Sequence, residues 1–194
     1  MSRPDTSLRS DAQLIDPRAI EALDVLGPTV QIVTPFTGDD RSPCLIRGTI
    51  PAGGVVPLHS HPEPETFVAL AGHMEGFVGY ASEPRWEQLE PGRVLHVPGG
   101  VPHAWRNRSG EPAVSLVVTE EGIARFFREV GRPAGEGGGE PGAGELARFA
   151  EAAARFGHWL AGPEENAAIG IDLPAPRPPA PNVQPTLPEN DIHG

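Results

Sequence analysis

GGVVPLHSHPEPETFVALAGHMEGFVGYASEPRWEQLEPGRVLHVPGGVPHAWRN, residues 53–107, decides the fold. Short apolar and β-branched runs alternate here with Gly- and Pro-rich breaks, the pattern of closely spaced strands. His59, His61 and Glu65 stand an even number of residues apart, so on one extended strand they project from the same face. His103 opens the apolar run HAWRN after a turn built from Pro98, Gly99, Gly100 and Pro102, and can close a site from a neighbouring strand. By the same parity Phe67 should face inward with Glu65, and Trp105 and Asn107 with His103. Phe67 and Trp105 then either line an aromatic pocket or simply pack the interior. Glu63 falls on the opposite face and is expected in solvent, and the motif glycines Gly53, Gly54, Gly72, Gly92, Gly99 and Gly100 are expected at turns needing positive φ.

Outward from this stretch the same pattern continues. TVQIV and PCLIRGTI precede it and AVSLVV follows, with no helical period of useful length between Val30 and Val118, so the core is all-β. Residues 1–15 are polar and aperiodic, a flexible N-terminal arm. Asp16 followed by Pro17 predicts a helix start and Gly27 its end, with Ile20, Leu23 and Leu26 on one face. After Val118, TEEGIARFFREVG predicts a helix capped by Thr119 and stopped at Gly131. PAGEGGGEPGAG, residues 133–144, reads as a linker, and ELARFAEAAARFGHWLAG as a second helix with Leu146, Phe149, Ala153 and Phe156 in a stripe. The expected organisation is one domain over residues 16–163, followed by a Pro-rich extended tail at 164–194.

A formal net charge of −11 and a sequence pI near 5.0 argue against nucleic acid or an anionic membrane as partner. The single cysteine, Cys44, can form no internal disulfide and reads as a small apolar strand residue. With no apolar leader in MSRPDTSLRSDAQLIDPR and no apolar run of membrane-spanning length, a cytoplasmic protein is expected.

The two histidine-bearing segments resemble the cupin family. Gly53, five residues, His59-x-His61, three residues, Glu65, six residues and Gly72 follow the family's first motif at every position. Gly92, five residues, Pro98-x-Gly100, two residues, His103, three residues and Asn107 follow its second. The resemblance implies a double-stranded β-helix, or jelly-roll barrel, carrying a short N-terminal helix and C-terminal helices. It also implies metal ligation by His59, His61, Glu65 and His103, and a homodimer by analogy. The remaining histidines, His73, His96, His158 and His193, read as ordinary hydrogen-bonded residues. Downstream, EGIARFFREVGRP and the alanine-rich helix ending in FGHWLAGP are similar to the C-terminal part of single-domain bacterial quercetin dioxygenase-like proteins.

Three imidazoles and a carboxylate suit one divalent transition ion, whether Fe, Ni, Co, Cu, Zn or Mn. Four protein ligands on a six-coordinate ion leave room for a chelating substrate or dioxygen, and Glu65 can accept the proton of a substrate hydroxyl. The leading expectation is a metal-dependent dioxygenase that cleaves a flavonol or related hydroxylated aromatic, with Phe67 and Trp105 against the aromatic plane. Two alternatives stand beside it. One is a non-oxidative metal-assisted cyclase, isomerase or decarboxylase on a polyketide-like intermediate, and the other is a non-catalytic small-molecule binder.

Overall fold

The computed structural model describes residues 12–79, 83–135 and 141–173. Most of the expected N-terminal arm, the centre of the 133–144 linker, His193 and the tail beyond residue 173 lie outside them. Two antiparallel sheets form the barrel. The first, of seven strands, runs β11-β1-β2-β3-β10-β5-β8, where β1 is Leu23–Asp24, β2 Thr29–Ile32, β3 Pro43–Ile50, β5 Glu65–Ala71, β8 Val94–Val97, β10 Ala113–Glu120 and β11 Arg132–Pro133. The second, of five, runs β12-β4-β9-β6-β7, with β4 Val55–Ser60, β6 Met74–Val78, β7 Arg85–Leu89, β9 His103–Arg106 and β12 Trp159–Leu160. Each apolar run of the sequence becomes a strand, as the all-β jelly-roll expectation requires.

Alternation builds the core. Cys44, Ile46 and Ile50 of β3, Phe67 and Ala69 of β5, Ala113 and Val117 of β10, and Trp105 of β9 turn inward into one buried cluster. Phe67 and Trp105 stack on each other with ring centroids 4.0 Å apart, and Asn107 is buried with them. The Asn107 amide serves the turn: it donates to the Ile50 and Glu111 carbonyls while its Oδ1 accepts from the Ser109 N–H. Gly99 departs from the positive-φ expectation, as does Gly54. A Cβ at Gly99 would overlap the Pro62 carbonyl, so the side chain is excluded by close approach. Its neighbour Gly100 does take φ 77°, and its N–H donates to the His61 carbonyl at 2.7 Å, clipping the turn before His103 onto the His61 loop.

The N-terminal helix is reduced to a single 3-10 turn, Pro17–Ala19, capped as expected by Asp16, whose Oδ1 accepts from the Arg18 N–H. It stops because Gln31 Nε2 donates to the Pro17 and Ile20 carbonyls, and because Leu23 and Asp24 pair as β1 with β2 and β11. The helical stripe of Ile20, Leu23 and Leu26 therefore does not form. Thr119 is not a cap either: β10 stays paired with β3 through Glu120, so helix α1 is Glu121–Val130 with Glu120 at its N-cap. Helix α2, Ala143–Arg155, packs on α1 through Phe149, Phe156, Ala152 and Ala153 against Phe126.

The chain does not leave the barrel at residue 163. Helix α3, Pro163–Ala168, follows, and Ile171 is buried against Leu58, Phe77 and Ala104 on the outer face of the five-stranded sheet. Asn166 holds this segment: its Oδ1 accepts from the Leu58 N–H of β4 at 2.9 Å, and its amide donates to the Ala161 and Gly162 carbonyls. No helix among the described residues is long and apolar enough to cross a membrane.

Candidate metal centre

His59 lies on β4, His61 just past its end, Glu65 at the start of β5 and His103 at the start of β9. His59, His61 and Glu65 do not share the one strand expected of them, because the chain bends through Pro62 and Glu63 between β4 and β5, whereas His103 does come from a neighbouring strand, β9. A register shift brings them together all the same. Val56 pairs with Trp105 and His59 with His103, so three steps on β4 match two on β9, and the bulge contains Pro57, which has no N–H to give the ladder. Bulges re-aim side chains. Here the shift sets His59 opposite His103, with ring centroids 4.3 Å apart.

One nitrogen from each of His59, His61 and His103 falls within 4.8 Å of the others. Glu65 Oε2 lies 3.3 Å from His61 Nε2 and 3.2 Å from His103 Nε2. His61, Glu65 and His103 are buried, and His59 is half-buried. His59 Nδ1 donates to the Pro57 carbonyl and His103 Nδ1 to the Val101 carbonyl, each at 2.8 Å. A proton fixed on Nδ1 leaves the Nε2 lone pair for a ligand.

The electrostatics show what the cluster demands when it holds only protons. Burial alone would lower His61, yet Glu63 and Glu65 outweigh it and hold the ring raised to about 9. Glu65 is driven far below the usual carboxylate range, with His103 and His61 overcoming its burial. Burial and the adjacent His103 and His61 push His59 well down. The buried Nε2 atoms of His61 and His103 have no hydrogen-bond partner among the described residues. An unpartnered buried polar atom costs about 1–3 kcal/mol. A cation placed between these nitrogens and the Glu65 carboxylate would satisfy them together, so the donor set fits a divalent transition ion.

Two neighbours were not legible as site residues. His158, read from sequence as ordinary, is buried with its ring centroid 5.2 Å from His61 and 4.3 Å from Phe126, and its Nε2 has no partner among the described residues. It arrives on the link from α2 to β12, whose Trp159 and Leu160 pair with Ser60 and His59. Burial, then the charge on His61, lowers His158 to about 4. Glu63, expected in solvent, is mostly covered and faces His61 Nδ1 at 3.5 Å. Parity misplaced it because it sits in the bend and not on a strand. His73 and His96 are exposed, and His96 Nδ1 hydrogen-bonds the Thr66 hydroxyl at 2.9 Å.

Residues 46–119, from Ile46 within β3 to Thr119 within β10, match the cupin domain family, and this segment holds all four candidate ligands. The match and the two-sheet barrel together define a cupin-type double-stranded β-helix. It ends before α1 and α2, the region on which the likeness to quercetin dioxygenase-like proteins rests. No curated protein matches the chain. Among solved structures the chain is similar to the polyketide cyclase RemF from Streptomyces resistomycificus, at 21% identity over 57% of this chain and 80% of that one, with a TM-score of 0.49. It is also similar to an uncharacterized conserved protein with a double-stranded β-helix domain from Klebsiella pneumoniae subsp. pneumoniae, at 16% identity over 57% and 90% of the two chains, TM-score 0.46. A third is oxalate decarboxylase from Lactobacillus farciminis, at 23% identity over 53% and 31%, TM-score 0.44.

Proposed function

We propose that the chain is a metal-dependent cupin enzyme acting on a small hydroxylated aromatic or enolic molecule. His59, His61, His103 and Glu65 hold one divalent transition ion in this reading, and Glu65 also serves as proton acceptor. The observation that carries it is the convergence of three imidazoles on a buried carboxylate, with the Nε2 atoms of His61 and His103 otherwise unpartnered. When bound, the ion supplies a Lewis acid that acidifies a hydroxyl on the substrate. The remaining work falls to the chain. Glu65 is buried with Oε2 3.2–3.3 Å from the Nε2 atoms of His103 and His61, within reach of a hydroxyl proton on a substrate held at the same point. Phe67 and Trp105, two residues beyond Glu65 and His103 on their strands, pack on each other in the buried core, and in this reading their rings back the substrate.

Ring-opening dioxygenation of a flavonol or related phenol is the oxidative form of this proposal. A cyclase, isomerase or decarboxylase would use the same residues and consume no oxygen. Metal analysis of the purified protein, followed by an oxygen-electrode assay with quercetin as probe, tests both parts. Metal retention with oxygen uptake supports the dioxygenase. Metal retention without uptake on quercetin or simpler phenols assigns the site to non-oxidative chemistry. Failure to take up Fe, Ni, Co, Cu, Zn or Mn on reconstitution refutes the metal centre itself.

A further inference from the structure

Two of the three histidines are oriented by backbone: His59 Nδ1 donates to Pro57 and His103 Nδ1 to Val101, each partner lying two residues earlier in the chain. His61 has no such carbonyl. Its Nδ1 is buried, has no hydrogen-bond partner among the described residues, and faces Glu63 Oε2 at 3.5 Å. Oε2 is itself buried and unpartnered, so two complementary atoms confront each other with nothing else to bind. The other carboxylate oxygen is set from a different direction. Glu63 Oε1 lies against Gly122 in the first turn of α1, so closely that a Cβ there would overlap it.

The geometry points to Glu63 as the residue that orients His61, with Gly122 of α1 as the seat that keeps Glu63 in place. Ligation through Nε2 requires the His61 proton on Nδ1, and Glu63 is the acceptor facing it. A carboxylate behind a ligating imidazole fixes its tautomer and ring plane and makes it a stronger donor, and removing such a partner typically lowers metal affinity about 10–100-fold. The consequence is that a helix outside the barrel bears on one histidine of the three. Glu63 is a positioning residue and touches no substrate.

This inference rests on the metal-centre reading, and the two can fail separately. The parent protein, Glu63→Gln and Gly122→Ala are each loaded with Co(II), and the visible spectrum and the rate of ion release to excess chelator are recorded. Release is read from the loaded form, so protonation of the empty site does not enter. Glu63→Gln should shift the spectrum and release the ion about 10–100-fold faster. Gly122→Ala alters no ligand and favours the helix, so its thermal stability should hold or rise while its spectrum and release shift in the same direction as those of Glu63→Gln. Release and spectra identical to the parent in both variants would overturn the inference with the metal centre intact. A parent protein that takes up no Co(II) would instead sink the reading beneath it.

Discussion

Metal uptake by this site should be coupled to the loss of one proton, and the proton belongs to His61. In the metal-free protein Glu63 and Glu65 hold that ring raised to about 9, against an ordinary value of 6.5. His59 is pushed well below its ordinary value and Glu65 is ionised, so neither brings a proton to displace at neutral pH. At pH 7 the ion therefore competes with a proton held about two pH units above ambient, a handicap of roughly 100-fold, or about 2.7 kcal/mol. Apparent affinity should climb about tenfold per pH unit from pH 7 to 9 and flatten above. Calorimetric titration at pH 7.5 in buffers of different ionisation enthalpy counts the proton directly, and about one should be released per ion. A pH-independent affinity across this range, with no proton released, would refute the assignment of His61 as a ligand facing two carboxylates.

The same groups shape the stability of the metal-free protein. His61, with its raised value, contributes stability that is fully present below pH 6.5 and disappears as pH rises through about 9. His158 runs the other way: lowered to about 4, it leaves the fold undisturbed above pH 6.5 and costs about 3 kcal/mol as pH falls through 4. These two residues alone place the stability maximum of the metal-free protein near pH 6.5, which denaturant midpoints across pH would show, and His158→Phe should flatten the acid side. His61→Ala or His103→Ala should abolish metal retention, read by metal analysis of the purified variants. Asn166→Ala should lower stability by about 1–3 kcal/mol, because it strands the Leu58 N–H and the Ala161 and Gly162 carbonyls; a thermal melt measures it. Gly99→Ala should cost a similar 1–3 kcal/mol by forcing the His103 turn away from Pro62, and it should weaken metal retention with it.

How far the sequence could be read depended on whether a residue sat on a strand. Along β5 alternation sorted Phe67 inward, and there the periodic argument needed nothing more; the buried Ile46 of β3 and Val117 of β10 obey the same alternation. It placed Glu65 and His103 by the same rule. For His59 and His61 the inward placement came out right through a different cause: one strand was assumed, and the chain instead uses a bulge at Pro57 and a bend at Glu63. Each of these resets the phase that parity counts. Glu63 was misplaced because it stands inside the bend, where alternation has no meaning.

His158 was missed for a non-local reason. Nothing in FGHWLAG relates it to His61, which lies nearly a hundred positions earlier; the link exists because β12 pairs with β4 and carries His158 alongside. The C-terminal residues thus act on the site by covering it. Phe126 of α1 backs His158, Gly122 of α1 seats Glu63, and both residues converge on His61. His59 and His103 are oriented by their own strands, so the barrel sets two of the three histidines and its helical covering sets the third. Loosening α1 and α2 from the barrel should therefore disturb His61 before the other two. A histidine whose orientation comes from outside the barrel is the point at which this chain can tune the proposed metal centre without altering the other residues that form it.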